Sequence, residues 1–300
     1  MVLVSVVIPT YNRADVLPRA VETALDQTLT DIEVIVVDDA STDETLAVLE
    51  EYDDPRLTVL EHETNSGASA ARNTGIAVAE GDYVALLDSD DEWAPEKLER
   101  QVETVATRSD EWVAAYCGTT VVTDESAHPV VQRLTDLLGR QGNADRVEGG
   151  EKLVREVLCQ RLHTSAGSTL LVDADVVDRI GGFDESFDRY QDTEFLIRVL
   201  KEGKLAYVDE PLLRRYPSGG PAAAAVRDAN CHLLKTFAED VVEYETRGHD
   251  VTGANQYTLA RLFFAEGKFS EGIDHLKAGT VPEPRQLPGL AYTVYSGLKA

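Results

Sequence analysis

Asp88-Ser89-Asp90-Asp91 puts three carboxylates within four positions, directly after the run Tyr83-Val84-Ala85-Leu86-Leu87. Such a short, mostly apolar run reads as a buried strand, so the acids stand where a strand leaves the core. Carboxylates repel one another and are costly to bury, and a cluster at this place calls for a counter-charge. A divalent cation that also holds a substrate diphosphate supplies one, because Mg²⁺ or Mn²⁺ takes oxygen ligands and commonly draws only one or two from protein. In an extended chain Asp88 and Asp90 fall on the same side, so that one can face the ion and the other the sugar or ribose of a nucleotide donor. Alone, the cluster reads more simply as an acidic turn capping the next helix. What changes that reading is its company.

The first 120 or so residues alternate between strand and helix patterns. A strand over Leu3–Ile8 precedes a helix with Val16, Leu17, Ala20, Val21, Ala24 and Leu25 on one face. The strand Glu33-Val34-Ile35-Val36-Val37 ends at Asp38-Asp39, and Ser41 with Glu44 predicts a capping box for a helix carrying Leu46, Leu49 and Tyr52. A third strand, Leu57–Leu60, leads to a helix from about Ser69 to Ala79 that stops at Gly81. The acidic cluster follows the fourth strand. Pro95 then opens a helix with Leu98, Val102 and Val105 inward, and Val113–Val122 is a further strand. This rhythm predicts a mostly parallel sheet with helices on both faces. Such sheets bind ligands at the carboxyl ends of their strands, where Pro9-Thr10-Tyr11-Asn12-Arg13, Asp38-Asp39 and Asp88-Ser89-Asp90-Asp91 converge on one rim.

Residues 124–150 are polar and weakly patterned, which predicts a long functional loop. A helix over Glu151–Leu158, a strand over Ser168–Val172 and a short helix lead to Gly181-Gly182-Phe183-Asp184. Gln191-Asp192-Thr193-Glu194 then opens a helix through Leu200, and Ala206-Tyr207-Val208 closes the sheet. After a break at Tyr216–Pro221, the segments Ala222–Tyr244, Tyr257–Glu266 and Ser270–Ala278 read as helices of an appendage, whose middle part resembles one helix pair of a tetratricopeptide repeat. The expected domains are 1–216, with a nucleotide-sugar-binding half at 1–122 and an acceptor-side half at 123–216, and a helical appendage at 217–300.

With 43% apolar residues the chain can build a full core, and no apolar run reaches the roughly 18 residues of a membrane span. It opens on strand-like sequence without a basic leader, so no signal peptide is expected. Cys117, Cys159 and Cys231 are far apart and suit a reducing, cytoplasmic setting better than a zinc site or disulfide framework. His128, His163, His232, His249 and His275 show no ligand spacing. The formal charge of −26 excludes a phosphate-backbone partner, so no nucleic acid is expected, and its even spread predicts a halophilic host.

Six motifs stand in order: Ser5-Val6-Val7-Ile8-Pro9-Thr10-Tyr11-Asn12, Val36-Val37-Asp38-Asp39-Ala40-Ser41, Asn65-x-Gly67-x-x-x-Ala71-Arg72-Asn73-x-Gly75, Leu87-Asp88-Ser89-Asp90-Asp91, Gly181-Gly182-Phe183-Asp184 and Gln191-Asp192. Together, over roughly residues 3 to 215, the chain resembles family 2 glycosyltransferases, inverting enzymes of the GT-A fold. The resemblance implies an α/β, nucleotide-diphospho-sugar transferase-like sheet flanked by helices, and a nucleotide-sugar donor. Pro9, Thr10 and Tyr11 match the family's first donor-binding turn. Asp39 matches the carboxylate that accepts from the base, typically uracil, while Asp38 shares that role or orients the loop. Arg72 meets base or diphosphate. Asp88 matches the residue reaching ribose or sugar, with Ser89 beside it in the donor set, and Asp90 matches the ligand of a Mn²⁺ or Mg²⁺ ion. Asp91 is expected to cap the helix beyond Pro95.

Asp192 matches the family's catalytic base, needed because an acceptor hydroxyl must lose its proton as it attacks. Many relatives carry Glu-Asp here where this chain has Gln191-Asp192. Asp184 and Gln191 are expected on the acceptor side. Arg214 or Arg215 is expected over the donor phosphates, although the following Tyr216–Pro221 departs from the basic or His-containing lid of relatives. The implied activity is metal-dependent transfer of a sugar, from UDP in the first instance, to a hydroxyl of a glycan, lipid-linked saccharide or protein, with peripheral membrane contact. The tail Leu287–Tyr295 is read as packing before membrane contact. Two rivals are a sugar-nucleotide pyrophosphorylase, whose Gly-rich basic loop Pro9–Ala14 is not, and a non-catalytic nucleotide-sugar scaffold or sensor.

Overall fold

The computed structural model describes residues 2–122, 147–216, 220–279 and 287–298, so most of the expected loop at 124–150, His128 and most of the break after Tyr216 lie outside the described residues. Among the described residues the chain forms two compact units. One is built from 2–122, 147–151 and 164–216, the other from 152–163, 220–279 and 287–298.

The first unit is organised by an eight-stranded sheet: β1 Val4–Thr10, β2 Ile32–Asp38, β3 Leu57–Glu61, β4 Tyr83–Leu86, β5 Glu92–Trp93, β6 Trp112–Val121, β7 Leu171–Asp173 and β8 Lys204–Arg215, in the order β3-β2-β1-β4-β7-β6-β8-β5. β1 pairs in parallel with β2 and β4, β2 with β3, and β6 with β8. β7 runs against both β4 and β6, and β5 runs against β8, so only those two strands are reversed. The short β5 lies outside β8 at the sheet's edge, where the sequence had placed Ala206–Val208.

Alternation along the strands sorts the two faces, as a period of two requires. Val6, Ile8, Val34, Val36, Ala85 and Leu87 pack with Leu17, Ala20, Val21 and Ala24 of α1 (Leu17–Leu25) and with Leu98 and Val105 of α4 (Lys97–Ala106). Burying each Leu or Val of such a stripe contributes roughly 1.5–3 kcal/mol. On the other face Ile35 and Val37 pack with Ala71 of α3 (Ala68–Ile76). The intervening α2 (Thr45–Leu49) starts without the expected capping box: Ser41 Oγ accepts from the Asn12 amide, and Asp43 accepts the Thr45 amide. Proximity of the two strand-end loops outcompeted the local pattern.

Between β6 and β8 lie α6 (Ala166–Thr169), α7 (Ala174–Ile180) and α8 (Gln191–Glu202). Residues 168 and 169, expected in a strand, belong to the turn of helix α6 and only Leu171–Asp173 pair. The reason is tertiary: Gln101, itself fully buried, donates to the carbonyls of Thr169 and Ala115 and thereby holds that turn against the sheet.

The second unit is helical. It contains α5 (Lys152–Leu158), α9 (Ala223–Thr236), α10 (Ala238–Thr246), α11 (Val251–Ala265), α12 (Phe269–Ala278) and α13 (Leu287–Gly297). The expected single helix over 222–244 divides at Phe237, which is buried. α11 packs on α12 and on α13, so the tail packs as read, and the buried amide of Asn255 ties α11 to the Leu158 carbonyl of α5. Among the described residues no helix is long and apolar enough to cross a membrane.

Candidate active site

The rim at the carboxyl ends of β1, β2 and β4 has two corners. At the first, β1 and β2 end side by side with Thr10 in register with Asp38, and the Asp39 amide donates to the Thr10 carbonyl. Asp38 is fully buried. Its Oδ2 accepts the Ser41 amide, so this acid orients the loop, while its Oδ1 and the Thr10 Oγ1 are buried without a hydrogen-bond partner. Tyr11 remains 45% exposed, its ring open to a ligand, and Pro9 lies within the buried strand.

Asp39 is nearly sealed and richly bonded. Its Oδ1 accepts the Ser66 amide at 2.8 Å and faces His62 Nδ1 at 2.7 Å; its Oδ2 accepts the Gly67 amide at 2.7 Å. The other ring nitrogen of His62 meets Thr74 Oγ1 of α3 at 2.9 Å. His62 was missed because ligand spacing was the criterion. Its position just past β3 was the available signal, since the rim argument applies to that strand too.

The second corner is built from opposed charges. Arg72, on α3 and 3% exposed, donates through Nη2 to Asp88 Oδ1 at 2.6 Å and lies 3.4 Å through Nη1 from Asp192 Oδ1. Burial alone would lower the guanidinium pKa, but Asp192 and Asp88 outweigh it and hold the group charged, above its ordinary range. For Asp192 burial dominates and raises the carboxyl, opposed by Arg72, reinforced by Asp88 and opposed again by Arg215. Although 30% of the Asp192 side chain is open, its Oδ1 is shut off from solvent and makes no hydrogen bond. Asp192 sits in the first turn of α8, where the helix dipole favours its charged form.

Gly167 explains how the two carboxylates approach. A Cβ there would stand 2.7 Å from Asp88 Oδ2 and 2.9 Å from Asp192 Oδ2, so any larger residue would wedge them apart. Behind it Ser168 Oγ accepts the Asp88 amide and donates to Asp91 Oδ2 at 2.6 Å, and its carbonyl accepts from the Trp93 indole. Asp91 therefore does not cap α4. It is buried, and burial pushes its carboxyl up to about 6. Beneath Trp93 lies Lys97, fully buried, with Nζ 3.8 Å from the ring centroid and 2.7 Å from Gln101 Oε1; burial pulls its pKa down to about 8.

The acidic cluster is a turn, since the Asp91 amide donates to the Asp88 carbonyl, so the extended-chain argument for Asp88 and Asp90 does not hold. The two acids have different partners. Asp90 is 3.8 Å from Arg13, and its carbonyl accepts from Arg19 at 2.6 Å. The Arg19 guanidinium in turn stacks 3.6 Å over the ring of Tyr216, whose hydroxyl donates to Glu92. Ser89 is buried between them. Arg214 pairs with Glu92, while Arg215, exposed, lies near enough to Asp91 and Asp192 to lower both. Among the described residues no three His, Cys, Asp or Glu side chains are disposed to hold a metal by themselves. Asp90 offers hard carboxylate oxygens held only by one long ion pair, which fits a Mg²⁺-type ion completed by substrate oxygens.

The Gly181–Asp184 loop is anchored to α3. Asn73 accepts the Phe183 amide at 2.7 Å and donates to the Phe183 carbonyl and to Glu185. Gly182 has φ 69° and no room for a Cβ, which would lie 2.5 Å from Asn73 Oδ1. Phe183 is thereby set beneath Arg72, 5.2 Å from its guanidinium, and stacked on Phe195. Asp184 accepts the Ser186 amide within its own turn, and Gln191 opens α8 partly exposed. An open cavity of about 610 Å³ flanks α3 and is lined by His62, Ser66, Asn73, Thr74 and Glu185 among others, but not by Asp39, Asp88, Asp90 or Asp192.

The model of "Glycosyl transferase family 2" matches residues 5–180. A putative teichuronic acid biosynthesis glycosyltransferase of Bacillus subtilis, TuaG, is 48% identical over 109 residues, which are 36% of this chain and 43% of that protein. The Escherichia coli UDP-Glc:alpha-D-GlcNAc-diphosphoundecaprenol beta-1,3-glucosyltransferase WfaP is 40% identical over 107 residues, again 36% and 43%. The chain thus spans less than half the length of these two relatives. Among solved structures, the mannosyltransferase PcManGT from Pyrobaculum calidifontis, in complex with GDP-Man and Mn²⁺, superposes with a TM-score of 0.61 at 20% identity, covering 98% of this chain and 84% of that one.

Proposed function

We propose, from the premise that this chain belongs to glycosyl transferase family 2 and has its GT-A fold, that it moves one sugar from a nucleoside diphosphate to an acceptor hydroxyl with inversion at the anomeric carbon. The donor is a UDP-sugar and the acceptor a growing cell-surface or lipid-linked glycan, the class in which the two bacterial relatives are named. Contact with a lipid carrier is part of the proposal and is taken to be peripheral.

One observation carries this reading. Among the described residues, the buried side-chain polar atoms without a hydrogen-bond partner are Thr10 Oγ1, Arg19 Nε, Asp38 Oδ1, Arg72 Nε and Nη1, and Asp192 Oδ1, of which Arg72 Nη1 and Asp192 Oδ1 face each other only across the 3.4 Å ion pair. Every one belongs to the rim or to the residue bracing Asp90. Buried polar groups are otherwise almost always satisfied, so orphans gathered on one rim support a polar, multiply charged ligand there.

In the proposed reaction the acceptor oxygen forms a bond to the anomeric carbon while the bond from that carbon to the diphosphate breaks, its electron pair leaving on the phosphate oxygen. The acceptor's proton passes to the Asp192 carboxylate, whose raised pKa suits a general base. Arg72, paired with both Asp88 and Asp192, keeps them from collapse into a shared proton and lends its buried positive charge to the donor side. Tyr11 stacks on the base and Asp39 accepts from it. Asp90 would hold a Mn²⁺ or Mg²⁺ ion, which when bound supplies charge stabilisation for the leaving diphosphate. Arg13 and Arg215 stand ready as further phosphate partners.

The test is calorimetric binding of a nucleotide-sugar panel, in molar salt to suit the −26 charge, with Mn²⁺, Mg²⁺ or a chelator. Metal-enhanced binding of a uridine donor is expected, followed by a product whose anomeric configuration by NMR is opposite to the donor's. A folded sample that binds no donor, or a product of retained configuration, would overturn the proposal.

A further inference from the structure

We infer that His62 is a specificity-determining positioning residue: by occupying one oxygen of Asp39 it makes that carboxylate a single acceptor, matched to uracil and mismatched to guanine. The inference rests on the proposed role of Asp39 toward the nucleobase.

A carboxylate has about four acceptor sites, two on each oxygen. In this structure Oδ1 of Asp39 meets both the Ser66 amide and His62 Nδ1, and Oδ2 meets the Gly67 amide. Oδ1 is then saturated, and a single site remains, on Oδ2. Uracil presents one imide N–H between two carbonyl oxygens, so one acceptor satisfies it. Guanine presents an N–H and an adjacent amino group, which a carboxylate binds best with both oxygens at once. With Oδ1 taken, guanine's second donor would be buried unpaired, and rejection by an unpaired polar group is the strong form of selectivity.

The tautomer follows from the partners. Asp39 can only accept, so His62 carries a proton on Nδ1; in the neutral ring Nε2 is then the acceptor and the Thr74 hydroxyl donates to it. Thr74 stands on α3, two positions after Arg72, so the helix that carries the charge-pairing arginine also fixes the imidazole against Asp39. The two backbone amides are present whatever side chain stands there, proline excepted, whereas the imidazole belongs to His62 alone, which makes it the adjustable element of this corner.

Calorimetry with UDP and GDP as probes, on the full chain, tests it. The parent should prefer UDP by tenfold or more, roughly the cost of one unpaired buried donor. His62→Ala frees a site on Oδ1, and the UDP-to-GDP affinity ratio should fall by about tenfold. His62→Asn, whose amide N–H can stand where Nδ1 does, should keep the ratio near the parent's. Nitrogen NMR of the parent should find the His62 proton on Nδ1, a readout that survives if the alanine variant fails to fold. A bare Nδ1, or a folded His62→Ala protein with the ratio unchanged, overturns the inference. Asp39→Asn separates the two levels. If it leaves UDP affinity intact, the assignment of Asp39 itself fails; if it abolishes UDP binding while His62→Ala leaves the ratio unchanged, only the role of His62 fails.

Discussion

Asp39 and Asp192 are both rim carboxylates, yet they are held in opposite ways. Asp39 is fastened by two backbone amides and an imidazole, all at hydrogen-bond distance. Asp192 has no hydrogen bond to Oδ1 and is balanced by the charge of Arg72 at 3.4 Å, with Asp88 competing for the same guanidinium. Under the proposed roles, the difference separates recognition from reaction. A recognising carboxylate gains from a fixed direction, which three short hydrogen bonds on its two oxygens give. A base must change its protonation during the cycle, and long-range compensation lets it do so without breaking a hydrogen bond first.

The strongest attempt to break this contrast is Asp192→Asn. Transfer should fall by about a thousandfold, within the range of a lost general base, while calorimetric donor affinity stays within about threefold. Equal losses in both would mean that the reactive corner also recognises. Next is Arg72→Met, which leaves Asp88 and Asp192 facing each other without a cation. Stability in urea should drop by about 3–5 kcal/mol near pH 8. The deficit should shrink on acidification, because Asp192, already raised in the parent, would then take up a proton in the folded state that the unfolded chain lacks.

Gly167→Ala sharpens the comparison at lower cost. Its methyl group would press on the oxygens of Asp88 and Asp192, so kcat should fall by about 10–100-fold, a larger loss than that in UDP affinity, which Asp39 at the other corner still supports. The smallest effect is that of Asp91→Asn. The Asp91 pKa is about 6 in the fold against 3.8 ordinarily, so the folded chain keeps a proton that the unfolded one releases between those values. Parental stability therefore declines as pH rises through this window. The shift bounds the gain at about 3 kcal/mol, and the Ser168 hydrogen bond is weaker to an amide than to a carboxylate, so the variant should match the parent below pH 4 and exceed it by about 1–2 kcal/mol above pH 7, read from thermal melts across pH.

The parallel half of the sheet and the convergence of three strand ends were legible because both follow from periodicity and from where polar residues interrupt it. So was α8, whose acidic first turn faces the rim. What escaped depends on partners distant in the chain. Residues 168 and 169 look like strand but are captured by Gln101 and Trp93. Asp91 looks like a cap but is captured by Ser168. Ser41 and Glu44 have the spacing of a capping box, and the neighbouring loop supplied a better partner in Asn12. His62 carries no motif at all, and its importance exists only through Asp39 and Thr74. Local patterns predicted elements; competition among polar groups across the rim decided the site.

The grip of Asn73 on the Phe183 backbone spans 110 residues and joins the donor-side helix to the loop that leads into α8. This constrains how such an enzyme can be recombined. Exchanging residues 57–80 for another member's, in order to change the nucleotide, would also import a new anchor for the loop that precedes Asp192. Only chimeras that move residues 181–187 together with α3 keep both ends of the tether. Under the proposed roles, donor preference and acceptor geometry would be inherited as one block.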